Sequence, residues 1–397
     1  MRGARWWIVL VVVVALAAIQ VLRPVPPVRL EVSLPKAFTA QGPALDVPWP
    51  SVGQSALAIS GVGEVGAAGA TSPQPIASVA KMMVAYLILK DHPLASGQTG
   101  PTVTVTPADV TLYQQDLAGG QSVVAVAAGE TLTEEQLLQG LLLPSGNNLA
   151  TMLAQWDAGT QAAFVTKMNA EAKALGMAGT TYADASGVSP ATVSTAADQL
   201  ILAQQVMAMP AFSAIVAMPQ ATLPVAGTVY NVNSFVGHSG IVGIKTGSTP
   251  QAGGCFIAAA YFTAGGHQVL AVAAALGQDG VQPLLDALTA GQNLVLAASG
   301  IVTPVQPVHS GQIAATLVAP WEAAVPVLVP STPAMLGWNG LRGALAVRPS
   351  GALGHAVGSG ARVATLTVTL GQQTATLPLR ASAAVAPPSL LWRLTRH

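Results

Sequence analysis

Apolar and polar positions change their spacing along the chain, and each change predicts a different element. The run WWIVLVVVVALAAIQVL, Trp6 to Leu22, is almost unbroken and follows Arg2 and Arg5. Its length lies at the short end for a membrane-spanning helix. The flanking arginines favour an N-terminus kept inside, with the rest of the chain exported. Ala-Leu-Ala at 15–17 also fits a cleaved signal peptide, while continuation of the run to Leu22 favours the uncleaved anchor. Residues 1–30 are read as an N-terminal membrane anchor or signal segment. The stretch RPVPPVRLEVSLPKA predicts an extended, proline-rich stalk over 31–50.

Beyond residue 50 the apolar segments are shorter. SALAIS and GEVGAAG predict a first hairpin, and the run at 77–90 a helix. TLTEEQLLQGLLL opens with Thr133-x-x-Gln136, a capping box, and carries leucines at helical spacing. Helices at about 147–156, 161–175 and 195–208 follow by the same spacing. GIVGIKTG, GGCFIAAAYFTA and HQVLAVAAALG then read as strands, the last two joined at Gly265-Gly266. QPLLDALTAGQNLVLAAS returns to helical spacing and is expected to pack on that sheet. Residues 51–299 thus predict an α+β domain, an antiparallel sheet covered by helices. From 300 to 386 short apolar strands alternate with Gly and Pro breaks, which predicts a small all-β domain. The tail 387–397, PPSLLWRLTRH, is read as a frayed end or a short interfacial anchor.

Composition sharpens this outline. Only 8% of the residues are charged, against about 25% in ordinary globular proteins. The zero net charge conceals an asymmetry: residues 1–300 hold ten Lys and Arg against fifteen Asp and Glu, whereas residues 301–397 hold six Arg and only Glu322. The body is acidic and the C-terminal region basic, with no basic cluster in the body to suggest a nucleic-acid partner. The single cysteine, Cys255, excludes an internal disulfide and reads as a core residue.

Within the apolar run at 76–89, Lys81 stands out, because a buried ammonium is costly unless paired or deprotonated. Ser78 lies three residues before it, on the same helical face. A serine becomes a nucleophile when a base takes its proton, and a desolvated lysine is such a base. The plain alternative is a surface lysine beside an unremarkable serine. Ser145-Gly146-Asn147 lies between two apolar helical segments, as an ordinary turn or as side chains aimed into a cleft. Lys245-Thr246-Gly247 ends an apolar strand and offers a charge, a hydroxyl and a residue without Cβ against which a ligand can lie. The chain has six lysines, and two of them belong to these motifs.

S-x-x-K, S-x-N and K-T-G in this order resemble the signature of penicillin-binding proteins and serine β-lactamases. The surrounding segments, IASVAKMMVAYLIL, VAAGETLTEEQLLQGLLLPSGNNLA and YNVNSFVG before VGIKTGSTPQAGGCFIAAA, resemble the D-alanyl-D-alanine carboxypeptidase family over about residues 50–298. The C-terminal region resembles the family's second domain more loosely. The resemblance implies a penicillin-binding-protein/serine β-lactamase-like catalytic domain at 51–299. It implies that Ser78 attacks the bond between two terminal D-alanines of a peptidoglycan stem peptide, with Lys81 as base and Ser145 as proton relay. Asn147, Lys245, Thr246, Gly247 and Ser248 would bind substrate, the Ser78 and Ser248 N–H groups forming the oxyanion hole. It implies no metal or organic cofactor, covalent inhibition by β-lactam antibiotics, and a place on the extracytoplasmic face of the bacterial cell membrane. Asn148 stands where many members carry Asp. A D,D-endopeptidase, a β-lactamase-like hydrolase and a catalytically silent cell-wall-binding protein remain as alternatives. Between 148 and 244 the only acids are Asp157, Glu171, Asp184 and Asp198, none in the context of a deacylating glutamate.

Overall fold

Strands rich in alanine and valine, with no polar alternation, form the centre of a five-stranded sheet. The computed structural model describes residues 2–95 and 97–396. They group into two units, Ala44–Val302 and the discontinuous pair Met1–Pro43 with Thr303–His397. In the first unit the strands are β1 (Gln54–Ile59), β2 (Gly63–Gly69), β3 (Ile241–Thr249), β4 (Gly253–Ala264) and β5 (His267–Gln278). Their order is β3-β4-β5-β1-β2, and every pairing is antiparallel. The hairpins expected from SALAIS/GEVGAAG and from Gly265-Gly266 are both present.

The missing alternation has a packing cause. On β4, Cys255, Ile257 and Ala259 belong to the core shared with the central helices, while Phe256 and Ala258 meet the helix that follows β5. A strand covered on both faces has no solvent side to mark with polar residues.

The helices of this unit are α1 (Lys81–Asp91), α2 (Pro107–Ala118), α3 (Glu134–Leu142), α4 (Asn147–Ala158), α5 (Gln161–Ala174), α6 (Ala196–Met207), α7 (Pro210–Val216) and α8 (Pro283–Ile301). Helix α1 is buried nearly all round, from Lys81 and Met82 to Leu89, so it is the central helix of the core. The Thr133/Gln136 capping box opens α3 as its spacing predicts. Helix α2 escaped the periodicity because its apolar positions are few and none is fully buried, although Val110 and Tyr113 rest on the core. Its own signals are local, a Thr106/Asp109 capping box with Pro107 in its first turn. The helix expected at 77–90 begins instead as a 3₁₀ turn, Ala77–Ala80, and becomes α-helical at Lys81. Helix α8 packs on β4 and β5, as expected from its position, although by length and composition alone it is apolar enough to cross a membrane.

The second unit is built on a seven-stranded sheet whose pairings are all antiparallel. Its inner strands are Ile313–Ala319, Glu322–Leu328, Gln373–Ala381, Arg362–Leu370 and Arg342–Pro349, and its edges are Arg29–Val32 and Ala37–Thr39. The edges correct part of one expectation: the segment 31–39, within the predicted 31–50 stalk, is sheet edge rather than free extended chain. Arg29–Val32 pairs with 315–318 and Ala37–Thr39 with 342–344, while Pro35 falls between the two strands, where no ladder N–H is needed. Proline content signalled interruption, and the short stretches between prolines pair with a sheet supplied from three hundred residues away. The N-terminal helix, Arg2–Leu22, is long and apolar enough to cross a membrane, and the span Arg5–Leu22 is not buried within the protein. The tail is a short helix, Leu390–Thr395, capped by Ser389. Beyond it, the Arg396 guanidinium donates to the carbonyls of Gln20, in the last turn of the N-terminal helix, and of Arg23 and Pro24 just after it.

Packing of α8 depends on Gly291, where an added Cβ would lie 2.5 Å from Phe256 Cδ1 and 3.2 Å from Ala258 Cβ. Gly291→Leu is expected to destabilise the unit by about 1–3 kcal/mol through overpacking. A chemical-denaturation curve superimposable on that of the wild type would show that α8 is free to move away from the sheet.

Candidate active site

The 3₁₀ turn brings the first pair together. In this tighter helix residues three apart eclipse one another, and Lys81 Nζ lies 2.8 Å from Ser78 Oγ. Ala77, just before Ser78, has φ +47°, a left-handed conformation that costs a non-glycine residue about 1–3 kcal/mol. Two glycines leave room for this turn. A Cβ on Gly187 would fall 1.8 Å from the Ala77 carbonyl oxygen, and one on Gly247 would fall 2.8 Å from the Ser78 nitrogen. The expectation for Gly247 was open space for a ligand beside the strand. In the structure the space is taken by the Ser78 turn itself, so the missing Cβ lets β3 approach the nucleophile.

The second motif arrives from the α3–α4 connection. Ser145 also has a left-handed φ, +68°, and Asn147 is the first residue of α4. Lys81 Nζ lies 3.3 Å from Ser145 Oγ and 2.6 Å from Asn147 Oδ1. A fourth oxygen, the Ser186 carbonyl, is 3.0 Å away. Lys81 itself is fully buried. Burial lowers its pKa well below the ordinary lysine value, and the nearby Lys245 lowers it further; Asp184 and Asp116 act in the opposite direction.

The third motif lies on β3. Thr246, Gly247 and Ser248 line an open cleft together with Ser78, Ser145, Ser122, Val232 and Leu284. Lys245 is buried, and its Nζ donates to the Thr246 carbonyl at 3.0 Å. Burial pushes its pKa down to about 7. The structure therefore gathers all eight residues singled out in the sequence, Ser78, Lys81, Ser145, Asn147, Lys245, Thr246, Gly247 and Ser248, around one cleft or directly behind it.

Several neighbours were not anticipated. Gln121 Oε1 accepts from Asn147 Nδ2 at 2.7 Å, and Ser122 accepts from the Asn147 backbone N–H at 2.8 Å. Asn148, the departure noted in the second motif, holds the same segment. Its Oδ1 accepts from Val124 N at 3.0 Å and its Nδ2 donates to Val124 O at 2.8 Å. A carboxylate does not donate, so Asp in its ionised form would lose the second bond. Asp184 organises the loop that presents the Ser186 carbonyl, accepting from Ser186 Oγ, Val188 N and Thr192 Oγ1 at 2.7, 2.9 and 2.5 Å. The one sequence signal for Gln121 was the α2 capping box followed by Gly119-Gly120, which together mark a helix and its end.

Chemically, the arrangement is a hydroxyl in contact with a desolvated amine, a second hydroxyl beside it, and a strand edge bearing hydroxyls and N–H groups across the cleft. Such a site suits nucleophilic acyl transfer.

Comparison with known proteins agrees with this chemistry. The Peptidase_S11 family model, described as D-alanyl-D-alanine carboxypeptidase, matches residues 64–277. The D-alanyl-D-alanine carboxypeptidase DacB2 of Mycobacterium tuberculosis is 35% identical over 193 residues. That match covers 47% of this chain and 62% of the relative's length. The crystal structure of the Streptomyces K15 DD-transpeptidase superposes with a TM-score of 0.55 at 25% identity, covering 63% of this chain and 100% of that one. The D-alanyl-D-alanine carboxypeptidase DacD of Francisella tularensis, at 19% identity, shares the fold with a TM-score of 0.60 over 88% of this chain and 97% of its own.

The depressed pKa of Lys245 predicts how stability varies with pH. An unfolded lysine titrates near 10.4, so between about 7 and 10 the unfolded chain holds a proton that the folded one has released, and stability rises with pH across that window. Below it the folded state carries the full penalty of a buried ammonium. Lys245→Met is therefore expected to stabilise the fold by an amount on the order of a few kcal/mol at pH 6, falling away towards pH 10. Urea denaturation at both pH values checks the sign; a gain that grew with pH would contradict it.

Proposed function

The chain belongs to the D-alanyl-D-alanine carboxypeptidase (Peptidase_S11) family, and on that premise we propose that it is a serine-type carboxypeptidase. In this reading it removes the terminal D-alanine from peptidoglycan stem peptides and is acylated by β-lactams. The observation that carries the reading is the contact between Ser78 Oγ and the fully buried Lys81 Nζ at 2.8 Å.

Ser78 Oγ attacks the carbonyl carbon of the penultimate D-alanine while its proton passes to the neutral Lys81 amine. The backbone N–H groups of Ser78 and Ser248 receive the developing oxyanion. Collapse expels the terminal D-alanine, whose amine nitrogen takes a proton from Lys81 by way of Ser145 Oγ. Asn147 binds the peptide backbone, and Thr246 with Lys245 receives the terminal carboxylate beside Gly247. Water then cleaves the ester in the reverse sense, with Lys81 again as base. No metal or organic cofactor takes part.

Slow release of a penicillin, as in a target rather than a resistance enzyme, follows from the carboxylates. Asp157 is held by Lys167 and His92, and Glu171 by Lys90. Asp198 accepts from Gly179 N and Thr180 Oγ1, and Asp184 is occupied by its own loop. None of the four acids between 148 and 244 is left to activate a deacylating water. The complete set of acyl-transfer groups likewise disfavours a silent wall-binding role. The N-terminal apolar helix would hold the enzyme on the outer face of the cytoplasmic membrane, next to its substrate.

Labelling with a fluorescent penicillin tests the proposal. A stable adduct mapped to Ser78 is expected in the wild type and absent in Ser78→Ala. Lys81→Ala should fold and lose acylation by at least about 10²-fold, the usual scale for removing a general base. Release of D-alanine from a pentapeptide ending in D-Ala-D-Ala is expected to depend on the same two residues. A folded wild type that took up no label and released no D-alanine would defeat the reading.

A further inference from the structure

Lys81 Nζ has four oxygens around it, and they are not equivalent. A neutral amine has two N–H donors and one lone pair. Asn147 Oδ1, at 2.6 Å, and the Ser186 carbonyl, at 3.0 Å, can only accept. Between them they occupy both N–H groups. The lone pair is left for a hydroxyl that can donate, and Ser78 Oγ at 2.8 Å is nearer than Ser145 Oγ at 3.3 Å. The base therefore points at its substrate proton only while both acceptors stay in place.

The Ser186 carbonyl is fixed by the backbone of the Asp184 loop. Asn147 has no such guarantee, because the two ends of a carboxamide have nearly the same shape. Turned over, its NH₂ would face Lys81 and donate into the lone pair that Ser78 requires. We propose that Gln121 is a positioning residue for Lys81, accepting from Asn147 Nδ2 so that the carboxamide oxygen, and not the NH₂, faces the amine. The role assigned to Lys81 here rests on the function proposed above.

The placement of Gln121 is built into the fold. Helix α2 ends in Gly119-Gly120, with Gly120 N donating to Leu117 O at 3.0 Å and Gln121 N to Asp116 O at 3.0 Å. The next residues are tied to the first turn of α4 at Ser122 and at both backbone groups of Val124. Gln121 is thereby placed beside Asn147, with its Oε1 2.7 Å from Asn147 Nδ2. The charged groups acting on Lys81 are Lys245, Asp184 and Asp116, and none of them contacts the Asn147 amide.

The test combines penicillin acylation kinetics with titration of the side chains by NMR on protein carrying ¹³C-labelled lysine, for which the chain offers only six signals. Gln121→Leu removes the acceptor, and acylation of Ser78 is expected to slow about tenfold with unchanged thermal stability. Freed to turn, the Asn147 NH₂ disfavours the ammonium, so the Lys81 titration should move to lower pH although acylation has become slower. Gln121→Glu keeps an acceptor that cannot donate and adds a negative charge. Its acylation should stay close to wild type at high pH, with the acid limb and the Lys81 titration both moved to higher pH. In an Asn147→Ala background, Gln121→Leu should have no further effect. Wild-type acylation in Gln121→Leu, or a loss that persists undiminished without Asn147, would overturn the proposal. A Lys81 titration identical in all three proteins would overturn it as well, and that measurement does not depend on whether any substrate is turned over.

Discussion

Full burial of one lysine amine is the constraint on which the rest of the catalytic unit depends. Removing an ammonium from water is expensive, and Lys81 meets that cost with oxygens drawn from separate parts of the chain. Ser78 comes from the same turn, Ser145 and Asn147 lie 64 and 66 residues away, and Ser186 lies 105 residues away. Burial and Lys245 lower the pKa of the amine well below the ordinary lysine value, against the opposing pull of Asp184 and Asp116. Desolvation favours the neutral amine because the fold excludes the water that would otherwise solvate the ammonium.

Bringing those segments together leaves strain in the backbone. Ala77 and Ser145, adjacent to or within the reacting set, both occupy the left-handed region without being glycine. Such residues persist where the surroundings over-determine them. Here the surroundings are a central helix buried nearly all round, a sheet covered on both faces, and two glycines whose absent side chains admit the Ser78 turn. The abundance of alanine follows from the same demand. Layers that approach closely on both faces of a sheet favour small residues.

The second unit shows how a sheet recruits its edges. Its inner strands come from the last hundred residues, while its two edges come from the segment that follows the N-terminal helix. Both ends of the chain are thereby joined in one unit, and Arg396 reinforces the junction by satisfying carbonyls that the N-terminal helix cannot satisfy itself. Prolines in the connecting segment read as a stalk because proline reports where a backbone N–H is missing, and says nothing of what the residues between prolines pair with.

What the sequence determined by itself was whatever depends on neighbours within a few residues. The Ser78–Lys81 spacing, the Thr133/Gln136 cap, the Gly265-Gly266 turn and the period of the longer buried helices are local and were legible, whereas the short buried helix α7 was not. The three motifs were legible too, because their order and context are written along the chain. Only the tertiary structure decided which distant oxygens surround Lys81, why Gly247 has no side chain, and that Gln121, Asn148 and Asp184 hold the acceptors in place. Helix α2, which delivers Gln121, has no fully buried residue and so left only a weak apolar pattern to read. Hydrophobic periodicity records which face of an element is buried, but not what it is buried against. Contacts separated by a hundred residues are selected by the packing of the whole unit, and the chemistry of this site consists of such contacts.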